Sequence, residues 1–154
     1  MRSISGVRVL FYIYIIALIY LTLFAWNYGA SLGEAGPGGR NYNLIPLRSI
    51  YRISIFSDSI IDPFKILIGN IILFIPLGYL LPQLLKAKKR FILITLYGFL
   101  TSMTIELLQF TFLYRVADVD DLILNTLGAS IGFGMYQCQR LMNRRIIFFQ
   151  VKKR

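Results

Sequence analysis

Four apolar runs divide the chain: Val9–Tyr28, Lys65–Leu85, Phe91–Leu113 and Leu122–Leu141. Each holds about 20 residues, enough at about 1.5 Å per residue to cross a hydrocarbon layer of roughly 30 Å. The pattern predicts an all-α integral membrane bundle of four transmembrane helices in one domain covering residues 1–154. The first run exceeds the ~7–15 residue apolar core of a cleaved signal peptide. Tyr20, Phe24, Trp26 and Tyr28 crowd its far end as an interfacial aromatic belt would, so it reads as an anchor.

The connections are uneven. Gly29–Gly39 holds five glycines and Pro37, which takes the chain out of helix and predicts an irregular extracytoplasmic loop after the first span. Asn41–Phe64 follows, with Pro46 near its start and Pro63 near its end, and mixes apolar residues with Arg48, Arg52, Asp58 and Asp62. Neither the helical nor the strand period fits it, and an interfacial helix and a re-entrant hairpin both stay open. In the second span Pro76 lacks a backbone donor and predicts a kink that Gly78 would ease. A basic turn (Lys86, Lys88, Lys89, Arg90) and the short link Tyr114–Asp121 join the remaining spans.

Polar positions within these runs carry the candidate chemistry. Ser102, Glu106 and Gln109 stand at i, i+4 and i+7 and share one helix face. Asp118, Asp121 and Asn125 form a similar stripe at the start of the fourth run, and Asn70 lies near the start of the second. A carboxylate at membrane depth costs about 2.5–3.5 kcal/mol on insertion scales, which makes Glu106 a functional-site candidate. Arg115, in the link, is the cation nearest in sequence, and Glu106, Asp118 and Asp121 would compete for it. The surplus negative charge suggests either a protonated carboxyl acting as general acid or a hard divalent cation among Glu106, Asp118, Asp121 and Asn125. The alternative is interhelical hydrogen bonding, about 0.6–2 kcal/mol per contact, with the Asp residues as helix caps. Asp120, between the stripe positions, reads as a solvated cap. Gly128 and Gly132, with Ser130 and Gly134 one step round, read as helix packing.

Charge gives the bundle a direction. With both termini cytoplasmic, twelve Lys/Arg fall to the inside segments and five to the outside ones, as the positive-inside rule favours. Six of the seven acidic residues then lie in or beside the outside loops, so the polar stripes open to the outer face. The net charge of +10 sits beside apolar runs, which fits anionic lipid headgroups as partners rather than nucleic acid. The absence of histidine removes Ser-His-Asp and Cys-His mechanisms, and the single Cys138 removes an internal disulfide.

Four blocks in order resemble the VanZ-like family of small bacterial membrane proteins: NLIPL (Asn43–Leu47), NIILFIPLGYLLP (Asn70–Pro82), SMTIELLQ (Ser102–Gln109) and RVADVDDLILNTLGASIG (Arg115–Gly132). The core of the resemblance runs from about 43 to 134. The family often has an aromatic after the first block's proline, where this chain has Leu47. The resemblance implies a polytopic protein of the bacterial inner membrane, and its namesake is associated with low-level teicoplanin resistance. It places the family's polar pattern on Asn43, Asn70, Ser102, Glu106, Gln109, Arg115, Asp118, Asp121 and Asn125, and hands over no catalytic mechanism. Three functions remain open. The protein engages or alters a lipid or lipid-linked envelope precursor at the outer face; it is an acid/base or metal-dependent enzyme; or it is a structural membrane subunit.

Overall fold

The computed structural model describes residues 4–25, 42–57, 61–85, 90–112 and 116–152, without the side chains of residues 4, 62 and 144–152. The glycine-rich stretch 29–39, the lysines of the basic turn and Arg115 lie outside these residues.

The chain is α-helical. Helix α1 spans Ile4–Ile19 and runs on as a π-helical turn over Tyr20–Phe24. Strand β1 is Tyr42–Asn43, and α2 is Arg48–Phe56. Helix α3 spans Ile61–Leu84 and continues through Pro76 and Pro82; α4 spans Phe91–Phe112. Strand β2 is Ala117–Asp118, and α5 spans Val119–Lys152. Among the described residues, three helical stretches can cross a membrane by length and composition: Ser5–Phe24, Pro63–Leu84 and Phe91–Phe112. Helix α5 contains the fourth apolar run but is more polar than α1, α3 and α4, with acids in its first turn and basic residues toward its end. It packs along α3 and α4.

Of the region 41–64, the described residues 42–57 fold as a two-residue strand, a turn and one short helix, and 61–64 already belong to α3; of the two forms the sequence left open, this strap carries the single helix. The small-residue pattern in α5 is narrower than its spacing suggests. A side chain at Gly128 would run into the Ile71 carbonyl, and one at Gly132 into the Ile75 carbonyl, whereas Gly134 faces open space. Gly128 and Gly132 therefore let α5 lie against the α3 backbone, while Ser130 pairs with Thr95 of α4 at 3.1 Å. Around this seam Phe74, Leu77, Leu18 and Ile105 form one buried cluster, and Leu81, Ile94, Phe133 and Tyr136 another.

The strap is tied across the chain. Strand β1 pairs in parallel with β2, Tyr42 opposite Ala117 and Asn43 opposite Asp118. Ile45-Pro46-Leu47-Arg48 then has the form of a type II turn, with Arg48 N–H donating to the Ile45 carbonyl at 3.3 Å and Leu47 at φ 65°. A left-handed leucine is strained by roughly 1–2 kcal/mol, so something must hold it there.

Candidate functional site

The α4–α5 turn lies at the same end of the bundle as the start of α3 and the end of α1. Its depth follows from two helices independently. Asn70 is seven residues inside the Pro63 end of its apolar stretch, and Glu106 is six residues inside the Phe112 end. At about 1.5 Å per residue both lie roughly 10 Å in. Irregular backbone at such a depth must be satisfied by protein, because lipid offers no hydrogen bonds.

The carboxylates supply that satisfaction. Glu106 Oε2 accepts the Asp118 backbone N–H at 2.9 Å. Asp118 Oδ1 accepts the Asp120 N–H at 2.9 Å and the Asn43 side-chain amide at 2.9 Å. Asn43 also donates to Ser49 Oγ at 3.0 Å and accepts the Ile45 N–H at 3.2 Å. Asp121, on the other side of the first turn of α5, accepts from the Asn70 amide of α3. One turn along, the Asn125 amide donates to Ser102 Oγ at 2.9 Å, joining α5 to α4. Glu106, Asp118, Asn43, Ser102 and Asn125 are all buried.

Asp120 departs furthest from its sequence reading. It is not a solvated cap: only 2% of it is exposed, among the most enclosed side chains described. Its Oδ1 accepts the Leu47 N–H, and its Oδ2 accepts the N–H groups of Ser49 at 2.9 Å and Ile50 at 3.2 Å. The carboxylate thus caps α2 from a distant part of the chain, opposite the positive end of that helix dipole. It also holds the left-handed Leu47. A signal was present in the spacing: on a helix Asp118 and Asp121 share a side, while Asp120 must point away and needs a partner of its own.

Gln109 also leaves the predicted group. Its amide donates to the Thr22 carbonyl at 2.9 Å. Thr22 is the buried residue of the π-helical turn, and its hydroxyl donates to the Leu18 carbonyl at 2.8 Å. Gln109 therefore fastens α4 to α1 rather than facing the carboxylates. The structure joins Asn43, Glu106 and Asp118 in one hydrogen-bonded group, and pairs Asn70 with Asp121 and Ser102 with Asn125 on the neighbouring helices; the Arg115 expectation falls outside the described residues.

The cation expectation meets a geometric difficulty. Among the described residues no group of three or more His, Cys, Asp or Glu is arranged to hold a metal ion. Several of the oxygens such a site would use already accept N–H groups. One acceptor stands apart: among the described residues, the buried Asn125 Oδ1 has no hydrogen-bond partner.

A sequence model of VanZ/LLP1 proteins matches residues 11–143. The chain belongs to the VanZ/LLP1 family. It is 31% identical over 152 residues to Protein VanZ of Enterococcus faecium, an alignment covering 92% of this chain and 83% of that protein. No solved structure matches it. The family match covers the strap, the α4–α5 turn and every sequence-predicted site residue.

Proposed function

We propose that this VanZ-family protein is a four-span protein of the bacterial inner membrane, with α5 as the fourth span and both termini cytoplasmic. It presents the polar turn between α4 and α5 to the outer face, where it binds or alters a lipid or lipid-linked envelope component. The consequence is reduced access of a lipid-tailed glycopeptide such as teicoplanin. The observation that supports this reading is the convergence of polar groups from α3, α4, α5 and the strap, about 10 Å inside the apolar stretches of α3 and α4. Expression should lower the binding of fluorescent teicoplanin to cells and raise the concentration needed to inhibit them. Unchanged binding with unchanged susceptibility would overturn the resistance role.

A structural reading has a specific observation in its favour: Glu106, Asp118 and Asp120 each hold backbone N–H groups. Glu106→Gln separates the readings. The amide retains an oxygen to accept the Asp118 N–H but carries no titrating group. A variant that folds with wild-type stability and loses the phenotype supports a chemical role for Glu106 as general acid/base. A variant that keeps the phenotype removes that role, and one that loses stability and phenotype together assigns Glu106 to architecture.

A further inference from the structure

Helix α2 is fixed at its N-terminus yet buries none of its residues. Its exposed face carries Tyr51, Ile55 and Phe56, and just before it Leu44, Ile45 and Leu47 are exposed as well. In water so many exposed apolar side chains on one short segment would be a liability. Arg48 and Arg52, at i and i+4, stand on that exposed side between Tyr51 and Ile55 on one flank and Phe56 on the other, and neither guanidinium has a partner among the described residues. The helix ends at Phe56, seven residues before the apolar stretch of α3 opens at Pro63. A groove of about 210 Å³ between them is lined by Ser54, Pro63, Phe64 and Leu67 and leads onto the exposed Phe64 and Ile68.

We propose that α2 lies in the membrane interface and holds an anionic phospholipid, its phosphate on Arg48 and Arg52 and its upper acyl chain along the groove beside Phe64. An interfacial helix seats its apolar side chains about 5–10 Å into the headgroup boundary while long arginine side chains reach up to the phosphates, and Asp120 ties the start of α2 to the polar turn. Two arginines favour an anionic headgroup over a zwitterionic one by charge complementarity, about fivefold each. The Asp120 clamp sets the helix direction, so the arginine pair stands beside the polar turn. This inference rests on the reading of the chain as a membrane protein and not on the teicoplanin phenotype, so the two can fail separately.

The test uses the full chain in lipid bilayers. Trp26, the single tryptophan, is replaced by Phe, and Tyr51→Trp then reports from α2. Lipids brominated near the top of the acyl chain are added as a minor component, either phosphatidylglycerol or phosphatidylcholine. Brominated phosphatidylglycerol should quench the emission at a severalfold lower fraction than brominated phosphatidylcholine. The Arg48→Gln, Arg52→Gln double variant should lose that preference while shallow quenching persists, and excess inorganic phosphate should leave the wild-type preference intact. Equal quenching by the two lipids would overturn the anionic site. No quenching by either would put α2 in water, and loss of the preference on adding phosphate would make the ligand a free anion.

Discussion

Replacing Asp120 tests the link between the buried turn and the surface helix. Its carboxylate accepts three backbone N–H groups, those of Leu47, Ser49 and Ile50. Hydrogen bonds to charged groups contribute about 1.5–3 kcal/mol each, but here three donors share two oxygens and the bonds are part-buried. Loss of a helix cap typically costs about 0.5–2 kcal/mol, and the strain at Leu47 adds a further reason for the turn to open. Asp120→Ala should therefore cost the strap about 3 kcal/mol of local stability, roughly a hundredfold in the opening equilibrium. Asp120→Asn keeps one acceptor oxygen and should lose roughly tenfold. Hydrogen exchange of the purified protein reads this directly, as faster exchange at residues 47–50 with little change along α3, α4 and the centre of α5. Wild-type protection at 47–50 in Asp120→Ala would refute the capping argument. Equal loss throughout the bundle would mean that Asp120 holds the whole fold rather than α2.

Two further substitutions test how the helices are joined. Gly132→Ala should lower the midpoint of thermal unfolding in detergent, since its methyl meets the Ile75 carbonyl and overpacking costs about 1–3 kcal/mol. Gly134→Ala, facing open space, should leave the midpoint unchanged or raise it. Gln109→Leu should lower stability by about 1 kcal/mol through loss of the bond to the Thr22 carbonyl. It should also speed hydrogen exchange at the π-helical turn while leaving teicoplanin binding to cells as it is; a lost phenotype at wild-type stability would return Gln109 to the functional site.

Much of the architecture was legible because lipid is an undemanding reader. Any helix facing it must be long and apolar, so the bounds of α3 and α4 emerge from hydropathy to within a few residues. Helix α5 was legible as an element, but which of its faces α3 and α4 cover is something no periodicity reports. The polar stripes correctly brought Glu106 and Ser102 toward Asp118 and Asn125. The same helical spacing misassigned Gln109, because a shared face says nothing about which neighbour covers each turn of it.

What the sequence determined by itself was the set of apolar helices, the family, and the concentration of acids around one turn. What only the tertiary structure decided was the partner of each acid. Asp118, Asp120 and Asp121 lie within four consecutive residues, yet they answer to Asn43 in the strap, to the start of α2 and to Asn70 of α3. The physical reason is that a buried carboxylate is stable only where donors surround it. Those donors come from segments about 50 to 75 positions away, brought into reach when α5 settles against α3 through Gly128 and Gly132.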